Sequence, residues 1–290
     1  MICELCPRRC GAERTERAGG GFCGMPAGIT AAKAMLHRWE EPCLSGTRGA
    51  GCVFFTGCNL GCVYCQNGPI SHENYGKRIT AARLREIFGE LIAQGAHCID
   101  LVTPTHFTPW IAEALAEPLP VPVVWNSSGY ERVSTLRTLE GKVQIYLPDL
   151  KYADRALAAR LSGAEDYFEA ACAAIDEMFR QVGPCVMGDD GLLRRGVILR
   201  HLVLPGQAEN TRRVIDYAAR RFRPGEVLFS LMSQYTPQPG AEGALARRVT
   251  GAEYRAAREY LLACGLTEGF VQEKSSAKEE YTPTFDLTGV

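Results

Sequence analysis

Apolar, β-branched runs alternate with amphipathic stretches from residue 52 onward, and this alternation limits the possible folds more than any other feature. Six runs predict strands, at residues 52–56, 98–103, 121–126, 143–148, 197–204 and 226–232. Helical patterns follow them, at residues 80–95, 108–117, 131–139, 166–182, 210–222 and 251–264. Strands that alternate with helices indicate βαβ units with right-handed crossovers. We therefore predict an α/β fold, a partial (β/α)6 barrel of parallel strands with a cysteine-rich amino-terminal extension.

The alternation does not extend over the whole chain. We expect a cysteine-rich extension at residues 1–50, which can form a metal module, the barrel at residues 51–274 and a carboxy-terminal tail at residues 275–290 that wraps the surface. Thr250 and Glu253 have the spacing of a capping box at the start of the last helix. Asn210 is a residue type that often precedes a helix, and we expect it to cap the helix at 210–222.

Composition narrows the classes of partner. Lysine and arginine number 32 and aspartate and glutamate 33, so the chain has no basic footprint for nucleic acid or an anionic membrane. The amino terminus lacks the apolar stretch of a signal peptide, and no run of about eighteen apolar residues occurs. We expect a cytoplasmic protein with no nucleic-acid or membrane partner. In that reducing compartment, thirteen cysteines indicate metal binding or catalysis rather than disulfides.

Three of the cysteines, Cys58, Cys62 and Cys65, lie in the segment "GCNLGCVYC" directly after the first predicted strand. Spacings of four and three also suit one face of a buried helix. Two glycines and Asn59 favour a turn instead, because each glycine costs a helix up to about 1 kcal/mol. Barrel folds place their chemistry in loops at the carboxyl ends of strands. Three thiolates leave one iron of a 4Fe-4S cluster without a protein ligand. A reacting small molecule requires such an open coordination site.

The Cys-x3-Cys-x2-Cys pattern, with Tyr64 before its last cysteine, resembles the radical S-adenosylmethionine superfamily, and most closely the pyruvate formate-lyase activating enzyme group. The resemblance implies that Cys58, Cys62 and Cys65 hold a 4Fe-4S cluster whose open iron binds S-adenosylmethionine, with Tyr64 beside the cofactor. It also implies a low-potential reductant, such as flavodoxin or ferredoxin, and anaerobic chemistry. Reductive cleavage of the cofactor would yield a 5′-deoxyadenosyl radical.

The same resemblance assigns roles farther along the chain. "YLPDLKY" places Asp149 and Lys151 where activating enzymes have Asp-Leu-Lys, and "LRHLVLPG" places Arg200 in their Arg-x4-Pro-Gly stretch. Lys151 and Arg200 are thereby implied to contact the cofactor or a substrate peptide. Asn126, Ser127 and Asp149 are implied to contact S-adenosylmethionine, and in the family this region can hold a monovalent cation. A simpler interpretation is that Asn126 lies in a turn and that Asp149 and Lys151 form an exposed ion pair.

One stretch departs from the family pattern. The family has a Gly-Gly-Glu segment after its second strand, which receives the amino group of the cofactor, and this chain has "TPTHF" at residues 103–107. Thr103, Thr105 and His106 could supply acceptors in its place. For His106, a hydrogen bond within the loop is an equal alternative.

The amino-terminal cysteines form a second group. Cys3, Cys6, Cys10 and Cys23 could close a tetrahedral zinc site, hold a second 4Fe-4S cluster or remain free thiols, and spacing alone does not separate zinc from a cluster. A small glycine-rich segment without a core needs such a staple. We interpret most of the remaining cysteines as packing residues; they are Cys43, Cys52, Cys98, Cys172, Cys185 and Cys264.

Together these features predict a radical S-adenosylmethionine enzyme that abstracts hydrogen from a protein or peptide substrate. Its first expected target is a glycine of a partner glycyl-radical enzyme. An alternative keeps the cofactor but acts on a ribosomal peptide or a small molecule. A second alternative, from another class, is a metal-stapled binding protein without catalysis.

Overall fold

The computed structural model describes residues 2–17, 19–272 and 283–290. Within these residues the strands are β1 (Ile29–His37), β2 (Ala50–Phe55), β3 (Lys77–Ile79), β4 (Ile99–Val102), β5 (Val123–Ser127), β6 (Ile145–Pro148), β7 (Val186–Met187), β8 (Leu193–Leu202), β9 (Leu228–Met232) and β10 (Gly269–Val271). The α-helices are α1 (Pro42–Ser45), α2 (Gly68–Ser71), α3 (Ala81–Ala93), α4 (Thr108–Ala114), α5 (Val133–Leu136), α6 (Arg155–Ser162), α7 (Tyr167–Val182), α8 (Ala208–Arg221) and α9 (Gly251–Ala263). Short 3-10 turns lie at Thr105–Phe107, Arg137–Leu139 and Gly243–Ala246.

The strands form an open, curved sheet in the order β10-β9-β8-β6-β5-β4-β2-β1-β3, and β7 pairs with β8. Every neighbouring pair from β2 to β10 along this order is parallel, whereas β1 pairs antiparallel with both β2 and β3. The six predicted strands correspond to β2, β4, β5, β6, β8 and β9, which lie side by side. The prediction of an α/β fold with a partial barrel of parallel strands is therefore confirmed.

Residues along each parallel strand alternate between two apolar layers, as a period of two requires. One layer lies inside the open barrel and includes Cys52, Phe54, Val124 and Ile145. Leu44 of α1 belongs to this inner layer, so α1 covers the amino-terminal ends of the strands. The outer layer packs strand residues against the surrounding helices; these strand residues include Val53, Leu101, Trp125, Tyr146 and Leu199.

The longest elements that were not identified from the sequence are β1 and α6; short strands such as β3 and β10 were missed as well. β1 lies within the stretch assigned to the amino-terminal extension, yet its residues pair with β2 from Ala31 to His37. Its sequence, ITAAKAMLH, is poor in the β-branched residues that indicate a strand. The second element, α6, is only eight residues long. Asp154 caps its start by accepting from the backbone N of Leu157, and Gly163 ends it in the left-handed conformation.

Of the two predicted helix starts, one is confirmed and one is wrong. The capping box at Thr250 and Glu253 is present, with both reciprocal hydrogen bonds at the start of α9. The prediction that Asn210 caps a helix is wrong, because α8 begins at Ala208, two residues earlier. Asn210 is buried inside the first turn and bonds to another loop instead.

The predicted tail falls partly outside the described residues, which resume at residue 283. Leu287 donates its backbone N–H to Ala32 O at 3.0 Å, and Ala34 donates to Thr288 O at 2.9 Å. The end of the chain therefore lies against β1. In the ranges that the structure describes, no helix is both long and apolar enough to cross a bilayer.

Candidate active site

The three-cysteine segment, residues 57–65, forms an irregular loop after β2 and contains no helix, as the sequence predicted. We call it the cluster loop. Gly57 has φ 79° and Gly61 has φ 64°, conformations that suit glycine. A Cβ atom on Gly57 would lie 2.9 Å from Cys23 O, so a side chain there would collide with the amino-terminal segment. The glycines therefore let the cluster loop fold back against residues of the extension.

The three thiols lie close enough to interact electrostatically. Burial raises the pKa of Cys58 to about 12, and negative charge on Cys65 and Cys62 would raise it further. Cys62 Sγ accepts from Ser162 Oγ at 3.1 Å, and Cys65 Sγ accepts from Ser71 Oγ at 3.2 Å. Metal coordination deprotonates such thiols, because the cation supplies the charge that the buried site lacks. The donor set therefore fits a thiophilic metal group.

An open cavity begins beside the cluster loop and extends into the barrel. Its enclosed volume is about 230 Å³, somewhat below the roughly 300–1,000 Å³ that is typical of ligand pockets. Cys62, Tyr64 and Cys65 form one wall. The other lining residues are His37, Glu40, Phe54, Gln66, Asn67, Val102, Asn126, Asp149, Lys151, Arg200, Leu202, Met232, Gln234 and Pro283. A small molecule in this cavity would touch two of the three thiol-bearing residues.

Arg200 is the centre of a hydrogen-bonded network in the cavity wall. Its Nε donates to Asp149 Oδ1 at 3.0 Å, its Nη1 to Glu40 Oε1 at 3.2 Å and its Nη2 to Asn126 Oδ1 at 2.6 Å. Lys151 Nζ donates to Asp149 Oδ2 at 2.6 Å. The five side chains come from four parts of the sequence, and the carboxyl-terminal regions of β5, β6 and β8 bring Asn126, Asp149, Lys151 and Arg200 together.

The charges in this network depend on one another. Burial disfavours the ionised form of Asp149, but Arg200 and Lys151 outweigh burial and hold the pKa of this carboxyl below its ordinary value. Asp149 likewise raises the pKa of Lys151 although burial opposes the charge. The three groups are therefore charged at neutral pH. Asp149 is a buried part of the cavity wall, so it is not the exposed ion pair considered from the sequence.

Glu40 and Asp100 were not identified as site residues from the sequence. Glu40 Oε2 and Asp100 Oδ2 each accept from Asn126 Nδ2 at 3.2 Å. Burial and the nearby Glu40 raise the pKa of Asp100 well above its ordinary value. No motif or spacing marks Glu40, because only the path of the chain from β1 to α1 carries it into the barrel.

Thr105 and His106 do not line the cavity. Thr105 Oγ1 donates to Glu131 Oε1 at 2.7 Å, and His106 Nε2 donates to Thr56 O at 2.7 Å. Burial lowers the pKa of His106 to about 4, so its ring is neutral. Both side chains are used for hydrogen bonds within the protein, and the bond of His106 goes to Thr56 after β2, not to a residue of its own loop.

Thr103 and Ser127 are also outside the set of cavity-lining residues. Thr103 has φ 61°, and its backbone N donates to Asn126 O at 2.8 Å. Ser127 Oγ accepts from Gly129 N at 3.2 Å in the turn after β5. Of the residues proposed to contact the cofactor, the structure thus brings Tyr64, Asn126 and Asp149 to the cavity, together with Lys151 and Arg200.

The amino-terminal cysteines lie near one another beside the cluster loop. Cys3 and Cys6 are buried, Cys23 is half-buried and Cys10 is exposed. Burial raises the pKa of Cys6 to about 12, and negative charge on Cys23 and Cys3 would add to this effect. In residues 2–17, 19–272 and 283–290, no three histidine, cysteine or acidic side chains are placed to hold a single metal ion.

A comparison with protein families finds a match between residues 45–138 and the model of a 4Fe-4S single cluster domain. This range contains the whole cluster loop. A curated relative, the uncharacterized protein MJ0674 of Methanocaldococcus jannaschii, is 29% identical over 272 residues, which is 89% of this chain and 73% of the relative.

Solved structures share the fold at low sequence identity. SuiB of Streptococcus suis bound to S-adenosylmethionine matches 77% of this chain and 50% of its own, with a TM-score of 0.53 and 14% identity. HydG, a maturase of the [FeFe]-hydrogenase, matches 77% of this chain and 52% of its own, with a TM-score of 0.52 and 14% identity. The chain therefore spans about half the length of these structures. The matched cluster domain and the shared partial-barrel fold support the resemblance of this chain to the radical S-adenosylmethionine superfamily.

Proposed function

We propose that this chain cleaves S-adenosylmethionine reductively at a 4Fe-4S cluster and uses the resulting 5′-deoxyadenosyl radical to abstract a hydrogen atom from a target. The observation that carries the proposal is the cavity, which joins the cluster loop to the charged network around Arg200. One ligand there can meet a metal group at one end and fixed charges at the other. The match to a 4Fe-4S single cluster domain supports the first of these two contacts.

Each group in the cavity has a role that follows from its chemistry. Cys58, Cys62 and Cys65 would hold the cluster and leave one iron open to S-adenosylmethionine. Lys151 and Arg200 present positive charge for an anionic group such as a carboxylate, and Asp149 orients both through its two oxygens. Asn126 is held between Glu40 and Arg200, so its amide is fixed before a ligand arrives. We also propose that a monovalent cation can bind beside Asp149.

The first test uses anaerobically reconstituted protein with a low-potential reductant. We expect 5′-deoxyadenosine to form from S-adenosylmethionine, and we expect Cys62→Ala to abolish its formation while the far-ultraviolet circular dichroism spectrum stays the same. Cys172→Ala, which changes a half-buried thiol outside the cavity, should retain full turnover. A fully active Cys62→Ala variant, or colourless wild-type protein that contains zinc and no iron, would contradict the proposal and favour a binding protein.

A second test concerns the charged network. In Arg200→Met, Glu40 and Asp149 lose their shared partner, and the cavity loses one cation. We expect the dissociation constant for S-adenosylmethionine to rise by about tenfold or more, since lost contacts to a charged group cost roughly 1.5–3 kcal/mol. Equilibrium dialysis with the reconstituted protein measures this constant. An unchanged dissociation constant would show that Arg200 does not bind S-adenosylmethionine, and its proposed role would then be in binding the substrate.

For the target we propose a polypeptide, and first a glycine of a partner glycyl-radical enzyme. A groove beside the cavity supports the entry of a chain segment. It shares Glu40, Arg200 and Met232 with the cavity and extends between residues 38–46 and residues 269–272. Among the described strands, no pairing joins β10 to β3, so the sheet itself does not close into a full wall at this side.

The alternative target is a ribosomal peptide or a small molecule. One solved structure with the same fold is SuiB bound to its precursor peptide SuiA, which has a TM-score of 0.51 and 14% identity. Electron paramagnetic resonance separates the two targets. A glycyl radical signal on an added glycyl-radical enzyme would support the first target. Turnover of S-adenosylmethionine without this signal, with a mass change in an added peptide or small molecule, would support the second.

A further inference from the structure

The amino-terminal segment, residues 2–17 and 19–27, grips the backbone of the cluster loop through one side chain. Arg8 Nε donates to Asn59 O at 3.0 Å, and Arg8 Nη2 donates to Leu60 O at 3.0 Å. The same guanidinium donates to Ser162 O at 2.5 Å and to Gly163 O at the end of α6. Both cluster-loop carbonyls lie between Cys58 and Cys62, so Arg8 determines where this part of the loop stands.

Apolar contacts from the segment reinforce this grip. The Arg8 guanidinium lies 3.8 Å from the ring centroid of Phe22. The Phe22 ring in turn lies close to Gly61: a Cβ atom on Gly61 would be 3.1 Å from the nearest ring carbon. Met25, which is 4% exposed, packs against Gly57 at the start of the loop. The segment thus contacts the cluster loop at its start and in its middle, from Gly57 to Gly61.

The segment also covers two other loops at the carboxyl ends of the parallel strands. Thr135 Oγ1 donates to Leu5 O at 2.8 Å, after β5. Arg14 Nη1 donates to His106 O at 2.5 Å, after β4, and lies 4.0 Å from Cys3 Sγ. Three atoms of the covered loops are buried without a hydrogen-bond partner in the described chain; they are Asn59 Oδ1, His106 Nδ1 and Glu131 Oε2.

Little in the segment itself explains how it keeps this position. In the part of it that the structure describes there is no helix or strand, and its backbone forms the isolated bridges Ile2–Glu13 and Arg14–Gly19 with a few turn and loop hydrogen bonds, such as that from Ala27 N to Thr15 O at 2.8 Å. A segment of this length cannot bury enough apolar surface to offset the entropy of its ordering. Small folds of this kind depend on disulfides or a bound metal. In this segment, the four cysteines are the side chains that could form such a cross-link.

We propose that Cys3, Cys6, Cys10 and Cys23 bind a second iron–sulfur cluster, which holds Arg8 and Phe22 against the cluster loop. Zinc would require the four sulfurs to surround one point. In the described residues, neither these thiols nor those of the cluster loop meet that requirement. The four thiolates of a 4Fe-4S cluster each bind a different iron, so they stand farther apart. The second centre is independent of the reaction proposed for the cavity, because it uses none of the same ligands.

The test removes the ligands of the first site. We expect a Cys58→Ala, Cys62→Ala, Cys65→Ala variant, reconstituted anaerobically, to retain roughly four iron and four sulfide ions per chain, half of the wild-type content. Adding Cys6→Ser and Cys23→Ser should remove them, whereas adding Cys172→Ser and Cys264→Ser should not. A triple variant that melts like the wild type but contains no iron, or that contains zinc instead, would overturn the proposal.

A second measurement addresses the contact between the two sites. In Arg8→Met the second cluster keeps its ligands, but the cluster loop loses its two carbonyl contacts. We expect a chelator to extract the iron bound by the cluster loop severalfold faster than in the wild type, while the slower phase that belongs to the second cluster is unchanged. Arg8→Lys, which keeps the charge and one donor, should be intermediate. Equal extraction rates in all three proteins would show that Arg8 does not position the loop.

Discussion

Glu131 is a buried carboxyl group whose protonation state changes with pH near neutrality. Its Oε1 accepts from Thr105 Oγ1 at 2.7 Å and from Trp125 Nε1 at 3.0 Å, while Oε2 has no partner among the described atoms. Burial raises the pKa of Glu131 from 4.5 to about 7. The folded protein therefore keeps a proton on this group over a range in which the unfolded chain has released it.

The sign of the resulting pH dependence follows from this difference. Below pH 4.5 both states are protonated, and between pH 4.5 and about 7 only the folded state is, so stability falls as the pH rises. We expect the free energy of unfolding of the wild type, relative to Glu131→Gln, to fall by on the order of 3 kcal/mol across this range. Denaturant titrations of both proteins at several pH values measure it. If the free energies of unfolding of the two proteins changed with pH in parallel, the pKa of Glu131 would be the same in the folded and unfolded states, and the raised pKa would be wrong.

Among the helices, α8 has a structural role that its sequence pattern does not reveal. Asn210 Oδ1 accepts from Ala153 N at 2.8 Å and from Asp154 N at 3.2 Å. Asn210 Nδ2 donates to Lys151 O at 3.0 Å. A single buried side chain in α8 thus fixes the loop after β6, which carries Lys151 to the cavity.

We expect Asn210→Ala to lower the free energy of unfolding by about 2–4 kcal/mol, because it leaves three backbone groups without partners in a buried joint. Asn210→Asp keeps the acceptor oxygen and loses only the donor, so it should cost less. Urea titrations of the two variants measure the difference. A loss below about 1 kcal/mol in Asn210→Ala would mean that water replaces the lost contacts.

Across the whole molecule, the last described residues of the chain, 283–290, lie on β1 and β3. Lys33 Nζ donates to Thr284 O at 2.8 Å and to Asp286 Oδ1 at 2.9 Å. Lys77 Nζ donates to Val290 O at 2.8 Å. Residues 283–290 therefore pack against β1 and β3, the two antiparallel strands at one edge of the sheet.

We expect deletion of residues 283–290 to lower the free energy of unfolding by about 2 kcal/mol or more, since net contributions of roughly 0.5–1.5 kcal/mol per hydrogen bond are lost at several positions. The variant Asp286→Asn keeps the backbone contacts and removes only one charge, so it serves as the control. Thermal unfolding of both proteins compares them. Equal midpoints for the deletion variant and the wild type would rule out a stabilising role for this contact.

The fold was largely predictable because its signals are local. Strand and helix periodicities lie within single segments, and the rule that βαβ units form parallel sheets then orders the segments. β1 escaped prediction because ITAAKAMLH is ordinary in composition and pairs only with distant residues. α6 escaped because eight residues are too few for a clear period.

The cluster loop and the network residues Asn126, Asp149 and Lys151 could be selected from the sequence, because they lie at or after the ends of strands whose carboxyl ends meet at one edge. Arg200, inside β8, was selected only through the family resemblance. That reasoning assigns a residue to the mouth of the barrel but does not orient its side chain. Thr105 and His106 also follow a strand, yet neither lines the cavity. Their hydrogen bonds go to other residues, which no spacing could indicate.

The order of the parallel strands and the glycine-bearing cysteine loop were determined by the sequence alone, since period, propensity and ligand spacing act over a few residues. The position of Glu40 in the barrel and the grip of Arg8 on the cluster loop followed only from the folded chain. Both depend on contacts between residues that are far apart in sequence. Such contacts are set by the packing of the whole molecule, which no local pattern encodes.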